Sequence, residues 1–307
     1  MIDIFSSDLR PMQYWKMTVD DKLALWESGK AEGLSTGFKH LDVYMRLVQS
    51  EFTLIAARPS MGKTALGMQI VENVASTLAA TGDEGTVAVF SAEMSGTELY
   101  IRMTSAMAGV NAHKLRSGQG NADEFDKFRT AANRLRDLPV WIDDGSRPST
   151  QTMLDRIEKL NETNPVRLML FDFLELGGDA GAREDIRIST IAQNLKAMAK
   201  TLDIPVVALS QLSRDVEQRT SKMPQLSDLR YSGMLEQVAD KVLFLMRPEY
   251  YTERQMNITD VPAEDDKGVA YALLAKNRTG PVGLTKLAFI KERAMFGNLE
   301  RERINLN

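Results

Sequence analysis

The chain of 307 residues contains no cysteine, only two histidines and no long apolar run. The lack of cysteine excludes disulfides and thiolate metal sites. No segment reaches the ~18 consecutive apolar residues that a membrane-spanning helix requires. The first residues also lack the basic region and apolar core of a leader peptide. These absences predict a cytoplasmic protein without a membrane partner.

An excess of charge of one sign is also missing, because 38 basic side chains are balanced by 42 acidic ones and the net charge is −4. A nucleic-acid partner would therefore have to be bound by a local basic lining. The remaining composition, 43% hydrophobic and 26% charged residues, is that of a globular protein able to bury a full core. The length allows two domains, or one large α/β domain with a short arm.

Apolar runs without polar alternation recur along the chain, and such runs suit parallel strands that are buried on both faces. They lie at residues 87–90, 140–142, 166–171, 206–209 and 242–245. Ile191, Leu195 and Leu202 fall at helical spacing between two of these runs, so we predict an α/β sheet with crossover helices. The turn-rich residues 277–281 separate two later runs, 269–274 and 284–290, and predict an added strand pair.

Residues 18–28 have the pattern of a helix that precedes the body of the protein. Thr18 is placed to cap it with Asp21, Val19, Leu23 and Trp26 share one face, and Gly29 is placed to end it. The helix could fold onto its own domain or act as an arm that docks on a neighbouring subunit, and periodicity alone does not choose. We place the arm and helix at 1–32 and the main domain at 33–307.

The most informative motif is the glycine–lysine–threonine turn at residues 57–64, which follows the apolar run 52–56 and precedes a helical pattern. Backbone N–H groups at such a turn point at phosphates, the Lys63 ammonium reaches the β/γ oxygens, and the Thr64 hydroxyl ligates Mg²⁺. The motif differs from the usual phosphate loop because Ala57 stands where glycine is normal. It predicts a nucleoside triphosphate site. The nucleotide-binding residues are Arg58, Pro59, Ser60, Met61, Gly62, Lys63, Thr64 and Ala65.

Polar residues at the ends of the predicted strands are further candidates, because ligands of open parallel sheets lie at the carboxyl ends of the strands. Asp172 is placed to hold Mg²⁺ and is preferred over Asp143 and Asp144, which suit a turn and a helix cap. Glu93 is either a general base that polarises water or a surface glutamate. Gln211 is either a contact of the terminal phosphate or an amide bonded to backbone.

Two segments rich in basic residues follow the predicted strands, and no regular structure is expected in them. Residues 177–187 hold Arg183 and Arg187. The second segment, 213–233, holds Arg214, Arg219, Lys222 and Arg230. Such runs are commonly solvated, but copies arranged around a channel would neutralise a phosphate backbone with little sequence preference.

Lys276 and Arg278 lie on the predicted turn of the late strand pair. A solvated turn is the simpler interpretation from spacing alone. A phosphate-loop enzyme also needs positive charge at the developing terminal phosphate, and an adjacent subunit can supply it. The two interpretations stay open at this point.

Six short segments occur in an order that resembles the C-terminal ATPase domain of DnaB-type replicative helicases. They are residues 34–38, 57–64, 90–95, 210–214, 227–230 and 275–278, and the likeness extends from about residue 33 to about residue 299. The resemblance implies a RecA-like α/β P-loop NTPase fold, with a mostly parallel central sheet flanked by helices, a late antiparallel strand pair and a short N-terminal linker helix.

The resemblance also implies a function for the whole assembly. Members of the family form a hexameric ring around single-stranded DNA, bind ATP and Mg²⁺ between subunits, translocate 5′ to 3′ and unwind duplex at a replication fork. The linker helix of the family packs on the adjacent subunit, which favours the arm interpretation of residues 18–28.

Site roles carry over by motif position. Lys63 and Thr64 would bind phosphates and Mg²⁺, Glu93 would be the catalytic base, Asp172 the Mg²⁺ acid and Gln211 the sensor of the terminal phosphate. The residues of the late turn, Lys276 and Arg278, would reach the nucleotide of the next subunit.

The same likeness places Arg230 and Gly233 in the loop that grips DNA phosphates, with Arg183, Arg187 and Arg214 as further lining. Tyr231 departs from the family pattern, since an acid is usual there, and residues 44–50 lack the usual glycines.

Partners of the family include a helicase loader, which the resemblance leaves open for this chain. Primase contacts are not carried over, because they belong to a helical N-terminal domain for which this sequence has no room, so we expect a truncated or naturally short version. Two alternatives remain: a recombinase-like or clock-protein-like ATPase that assembles without unwinding, and a nucleotide-gated module that joins another helicase's ring.

Overall fold

The computed structural model describes residue 10 and residues 12–181, 183–230, 232–256 and 267–299. Nine strands form one sheet in the order β3-β2-β4-β5-β1-β6-β7-β8-β9. The strands are β1 (Phe52–Ala57), β2 (Thr86–Ser91), β3 (Val140–Asp143), β4 (Val166–Asp172), β5 (Val206–Gln211), β6 (Lys241–Met246), β7 (Val269–Asn277), β8 (Gly283–Ile290) and β9 (Met295–Asn298).

The α-helices alternate with the strands through the first two thirds of the chain. They are α1 (Met12–Glu27), α2 (Lys63–Thr81), α3 (Gly96–Ala108), α4 (Ala112–Arg116), α5 (Ala122–Arg136), α6 (Thr150–Asn161), α7 (Glu184–Leu202), α8 (Ser232–Val238) and α9 (Pro248–Thr252). Short 3₁₀ helices occupy Leu174–Leu176, Arg214–Glu217, Leu226–Asp228 and Lys291–Arg293. None of the helices in the described ranges is long and apolar enough to cross a membrane.

The strands β1 to β6 are parallel to their neighbours, and β7, β8 and β9 continue the sheet antiparallel from β6. Every residue of β1, β2 and β6 is buried, which is what uninterrupted apolar runs require. The predicted α/β architecture with a mostly parallel sheet and a late antiparallel pair is therefore confirmed. Since β1, β2, β4 and β5 all end at one edge of the sheet, the residues that follow them meet there.

Helices cover both faces of the sheet. α2 packs on one face through Leu66 and Val74, and α7 packs on the other face through Ile191. Successive strand residues point to opposite faces, so Ile55 of β1 joins the α2 cluster and Leu54 joins the α7 cluster. The two layers clamp the strands in place and fix the edge where the strands end.

The first helix starts earlier than its sequence pattern predicts. α1 begins at Met12, so Thr18 lies inside the helix, and the prediction of a cap at Thr18 was wrong. Its end before Gly29 agrees with the prediction, and Gly29 has the positive φ of 73° that favours glycine. No residue of α1 is buried. Its predicted apolar face is open, with Leu23 and Trp26 exposed.

The prediction that residues 177–187 and 213–233 lack regular structure was wrong in part. α7 begins at Glu184 inside the first segment, and two 3₁₀ helices and the start of α8 lie in the second. The physical reason is that basic residues there are bonded internally. The Arg219 guanidinium donates to both oxygens of Asp228 at 2.8 and 2.7 Å and to the carbonyl of Met223 at 3.0 Å. The buried Lys222 ammonium donates to the carbonyl of Glu217 at 2.9 Å.

Candidate nucleotide site

The turn between β1 and α2 has the geometry of a phosphate cradle. α2 begins at Lys63, directly after Gly62, which has a φ of 94°. A Cβ at Gly62 would lie 2.8 Å from the ring of Phe296, so both the backbone conformation and the neighbouring ring require glycine. The first N–H groups of a 19-residue helix are therefore presented at the sheet edge without a side chain in front of them.

A buried arginine braces this turn from behind, and no sequence motif pointed to it. Arg247 follows β6, its NH1 group donates to the carbonyl of Ser60 at 3.1 Å, and its guanidinium stacks 3.7 Å from the ring centroid of Phe289. Met61 is buried beside it, and its sulfur accepts the Arg247 N–H at 3.4 Å. The position of the turn thus depends on contacts with the residue after β6 and with β8, in addition to the motif residues.

The predicted nucleotide-binding residues divide by orientation. The side chains of Arg58 and Met61 are buried, whereas Pro59 and Ser60 are exposed. Arg58 donates through Nε to Glu217 at 2.9 Å and through NH1 to the carbonyl of Leu212 at 2.9 Å. Its side chain therefore tethers the cradle to the segment after β5. Gly62, Lys63, Thr64 and Ala65 lie at the start of α2.

Lys63, Thr64 and Asp172 come together at this edge. The Thr64 hydroxyl donates to Oδ2 of Asp172 at 2.7 Å, while Oδ1 of Asp172 is buried and has no hydrogen-bond partner in the described structure. Burial raises the pKa of the Asp172 carboxyl. The Lys63 ammonium lies 4.2 Å from the ring centroid of Phe173. Burial lowers the pKa of Lys63, and Asp172, Glu175 and Glu93 oppose that shift in this order.

The oxygen donors fit a magnesium ion held together with nucleotide phosphates. A buried, unpartnered carboxylate oxygen beside a hydroxyl is a hard donor pair of the kind that Mg²⁺ prefers. Within the described ranges, no cluster of three or more metal-ligating side chains occurs.

The competing acids at the end of β3 are already occupied. Asp143 forms an ion pair with Arg156 and accepts the Gly145 N–H at 2.9 Å, while Asp144 accepts the Gly96 N–H at 2.9 Å. Ser149 caps α6 by accepting the Thr152 N–H. The geometry therefore favours Asp172 over this pair as the metal acid.

Glu93 lies two residues beyond β2 and is exposed, within the electrostatic reach of Lys63. Gln211 ends β5, in register with Ala57 of β1, so it lies next to the cradle. Its side-chain amide makes no hydrogen bond within the described structure. Both residues thus occupy the edge at which a terminal phosphate would be held, and their chemical roles stay predictions.

Glu175 is a component of the site that motif matching did not identify. It is only 8% exposed, and its Oε1 accepts hydrogen bonds from the Ser210 hydroxyl and the Gln211 N–H, each at 2.7 Å. Its Oε2 is buried and has no hydrogen-bond partner among the residues that the structure describes. The available signal was an acid three residues after Asp172 within an otherwise apolar segment.

Lys276 and Arg278 lie at the other end of the parallel strands from the cradle, at the edge of the sheet where β1 begins. The Lys276 ammonium donates to the carbonyls of Glu236 and Ala239 at the end of α8, and Arg278 donates to Asp240 at 3.2 Å and to the carbonyl of Gln237. Asp240 also accepts the N–H of the first β1 residue at 2.7 Å. Since β1 has six residues, about 20 Å separates these groups from the cradle.

The candidate DNA-binding residues differ in whether their side chains already form hydrogen bonds or ion pairs within the chain. Arg214 is exposed and Arg230 half-buried, and neither has an ion pair or hydrogen bond in the described structure. Arg183 is exposed and paired with Asp185. The guanidinium of Arg187 donates instead to the carbonyls of Gly177 and Glu175. Gly233 is exposed at the start of α8, and Tyr231 lies outside the described residues.

A cavity of about 280 Å³ adjoins the cradle. It lies between α2, α3, α4 and the 3₁₀ turn that connects β8 to β9. Thr64 and Ala65 line its inner end, and Met68, Leu99 and Met103 provide apolar walls. Charged side chains, among them Glu98, Arg102 and Arg116, also line the cavity.

Comparison with known proteins assigns the family. The model of the DnaB-like helicase C-terminal domain matches residues 33–298. Replicative DNA helicase DnaB of Geobacillus stearothermophilus is 39% identical over 277 residues, and replicative DNA helicase DnaC of Bacillus subtilis is 38% identical over 277 residues. In both comparisons the match covers 89% of this chain and 58% of the relative, so the chain spans under two thirds of the curated relatives it matches.

Two solved structures have the same fold. A DnaB-like replicative helicase, described with its interactions with primase, superposes with a TM-score of 0.81 at 34% identity and covers 95% of this chain and 68% of its own. The structure of an ATPase domain gives a TM-score of 0.84 at 34% identity, with 95% of this chain and 100% of that domain covered. Its fold, its cradle and its sequence all show that the chain belongs to the DnaB-like helicase C-terminal domain family.

Proposed function

We propose that this chain is the ATP-hydrolysing motor of a DNA helicase that works as a ring on single-stranded DNA. The observation that carries the proposal is the grouping of Lys63, Thr64 and Asp172 around a glycine-opened helix start, with an unpartnered buried carboxylate oxygen among them. Such a grouping costs stability in the free chain and is stabilised when a charged ligand arrives. The match to the helicase family supports ATP as that ligand.

Each residue at the edge has a distinct task in hydrolysis. The N–H groups at the start of α2 and the Lys63 ammonium bind the β and γ phosphates and stabilise the charge that develops on them. Bound Mg²⁺, held by Thr64 and through water by Asp172, would neutralise phosphate oxygens. Glu93 accepts a proton from the attacking water, and the Gln211 amide contacts the γ-phosphate.

Hydrolysis at this site needs a second copy of the chain. Arg278 lies about 20 Å from its own cradle, beyond the reach of a side chain, so it serves a nucleotide bound by a neighbour. A head-to-tail contact that closes on itself gives a ring, and we propose a ring of six subunits. The open face of α1 is available to contact the adjacent copy.

DNA would be bound by the segments that follow β4 and β5. Arg214 and Arg230 are the cations there that have no internal partner in the described structure, and backbone phosphates are their natural ligands. In a ring these residues repeat around the channel, which allows a strand to be held with little base preference. We infer translocation 5′ to 3′ with displacement of the complementary strand at a fork.

The deciding experiment measures ATP turnover of the full chain over a range of protein concentrations, with and without single-stranded DNA, and then strand displacement on a forked duplex. We expect turnover that rises with concentration and is stimulated by DNA, and we expect displacement from the fork. Lys159→Ala, at an exposed position on α6, is the matched surface control for Lys63→Ala.

The outcomes separate the remaining candidates. DNA-stimulated turnover with stable filaments but without displacement would indicate a recombinase-like or clock-protein-like ATPase. Activity that appears only after mixing with another helicase would indicate a module of that helicase's ring. An absence of DNA stimulation at concentrations that permit assembly would contradict the proposed motor.

A further inference from the structure

We propose that Glu175 is a positioning residue that fixes Gln211 beside the terminal phosphate and transmits the state of the nucleotide to the segments after β4 and β5. This inference rests on the proposed function, because it assigns a coupling role within the same site. It concerns a residue that neither binds phosphate nor reacts, and that acts through the strand end it holds.

The hydrogen bonds of Glu175 show what it fixes. Its Oε1 accepts the Ser210 hydroxyl and the Gln211 N–H, each at 2.7 Å, and these are the last two residues of β5. One carboxylate oxygen thereby holds the last two residues of β5 and the backbone from which the Gln211 side chain extends. A buried carboxylate with charge-assisted bonds to two donors holds them more firmly than a neutral acceptor would.

The second oxygen of Glu175 separates it from a purely structural acid. Asp228, which is 3% exposed, has both oxygens bonded by the fork of Arg219, and its Oδ2 also accepts the Gln225 N–H. Glu175, at 8% exposure, leaves Oε2 buried and without a partner in the described structure. An unsatisfied buried oxygen calls for a physical explanation, and Glu175 differs from Asp228 in lying beside the phosphate-binding lysine.

The charge of Glu175 acts on the same lysine that binds phosphate. Among the acids that counter the effect of burial on the pKa of Lys63, Glu175 is second after Asp172. A phosphate bound by the Lys63 ammonium therefore lies within the electrostatic influence of Glu175. The N–H that Glu175 accepts belongs to Gln211, whose amide contacts the γ-phosphate in the proposed function, so the state of the nucleotide reaches Glu175 through the end of β5.

Two contacts connect Glu175 and the end of β5 to the segments that follow β4 and β5. Arg187 donates to the backbone carbonyl of Glu175 at 3.1 Å and to that of Gly177 at 2.9 Å, which connects Glu175 to α7 and to the segment after β4. On the other side, Gln211 is followed by Leu212, which forms a β-bridge with Leu229. The residue after Leu229 is Arg230, one of the two arginines whose side chains have no partner in the described structure. Glu175 therefore lies between the phosphate site and both segments.

The test compares Glu175→Gln with Glu175→Leu in the full chain. Glutamine keeps an oxygen acceptor for the two donors of β5, whereas leucine removes it at similar size. The measurements are the dissociation constant of a fluorescent ATP analogue, kcat and KM for ATP, and the ratio of kcat with and without single-stranded DNA. Glu158→Leu, at an exposed position on α6, is the matched control.

For Glu175→Leu we expect the stimulation ratio to fall about tenfold while the dissociation constant of the ATP analogue changes little. For Glu175→Gln we expect most of the stimulation to be retained, and a folded Ser210→Ala variant should fall between the two. A wild-type stimulation ratio in Glu175→Leu would overturn the inference. So would a loss of stimulation in Glu175→Gln equal to that in Glu175→Leu, because positioning would then not be the role.

The proposed function fails in a different way. A wild-type chain that binds nucleotide but shows no turnover under assembly conditions would defeat the motor and this inference together. Normal turnover of the wild-type chain, with unchanged coupling in Glu175→Leu, would defeat the inference alone. If Glu175→Leu does not fold, Ser210→Ala decides: a stimulation ratio equal to that of the wild type would overturn the inference, and a reduced ratio would support it.

Discussion

The buried acids at the two edges of the parallel sheet, where the strands end and where they begin, differ in how completely their oxygens are hydrogen-bonded. At the edge where the strands end, Asp172 and Glu175 each leave one buried carboxylate oxygen without a partner in the described structure. At the edge where the strands begin, every oxygen of the two buried acids is bonded. Asp240 contacts Lys196, Arg278 and the Phe52 N–H, and Glu51 contacts Lys241 and Thr279.

This difference separates stability from function within one fold. A satisfied cluster of charges at the starting edge ties β1, β6, α7 and the late strand pair together, so its loss weakens the native state. An unsatisfied cluster at the ending edge reduces the stability of the free chain and is retained because it can receive a charged ligand. Substitutions at the two edges should therefore have opposite signatures.

The largest effect is expected at the ending edge. Lys63→Ala removes the ammonium that binds phosphate and stabilises the developing charge, so ATP turnover should fall to background, by about 10³-fold or more. The melting temperature should not fall, since burial disfavours the charged lysine in the free chain. Coupled-enzyme measurement of phosphate release and thermal unfolding check the two parts, with Lys159→Ala as control. Residual turnover close to that of the wild type would contradict the functional role assigned to the ending edge.

Arg278→Ala tests whether the starting edge also serves catalysis. Turnover should fall by about 10³-fold, because a cation is lost from a neighbour's transition state, while nucleotide affinity stays near wild type. Stability should change by less than about 1 kcal/mol, since the arginine is half exposed and Lys196 still neutralises Asp240.

Mixing Arg278→Ala with Lys63→Ala is the sharper experiment. A mixed interface can pair an intact cradle with an intact arginine, so turnover should partly return. Complete absence of recovery over all mixing ratios would contradict a site shared between two copies.

Asp240→Ala should have the largest effect on stability alone. It removes the acceptor that the Phe52 N–H, Lys196 and Arg278 share, and we expect a loss of about 2 kcal/mol in the free energy of unfolding. Urea denaturation measures it, with Asp155→Ala on the exposed side of α6 as a control. A value within error of the control would show that the starting edge is not the more stabilising one.

Arg230→Ala and Arg214→Ala test the two arginines that follow the ending edge and have no partner in the described structure. Each should weaken single-stranded DNA binding a few-fold and reduce the salt slope of log K by about 1, with little dependence on base sequence. Fluorescence anisotropy at several salt concentrations measures both quantities. Arg219→Ala is the contrasting variant, because its guanidinium is bonded to Asp228, and it should lower stability before it affects the salt slope.

The smallest expected effect is that of Asp172→Asn on stability. Burial raises the pKa of this carboxyl, so the native state binds its proton more readily than the unfolded chain does. Its contribution to stability therefore falls as pH rises from the unfolded pKa through the raised folded value. The asparagine variant should match the wild type in acid and equal or exceed it by up to about 1 kcal/mol near neutral pH, while turnover is lost. Lower stability of the variant at neutral pH would contradict this.

The sequence was sufficient for the features that local chemistry dictates. Runs such as 206–209 are apolar on both faces, which is typical of a covered parallel strand, and β5 is present there. Gly62, Lys63 and Thr64 could be placed at a helix start because the motif requires a strand before it and a helix after it, and α2 begins at Lys63. The DnaB-type resemblance was confirmed by the family match.

The remaining features depend on contacts between distant parts of the chain. Arg247 lies almost 190 residues from the turn that it braces, and the Arg219 fork on Asp228 orders a segment whose composition alone indicated solvated charge. β9 is only four residues long and forms by pairing with β8. The start of α1 was mispredicted because a threonine with an acid three residues later also occurs inside helices.

The placement of tryptophan has a practical consequence. The sequence contains only Trp15, Trp26 and Trp141, each about half exposed, and the first two lie on α1. Intrinsic fluorescence of this protein therefore reports on its surface, and mainly on the arm. A blue shift of the emission on raising the protein concentration would register the covering of α1 by another copy, without any added dye.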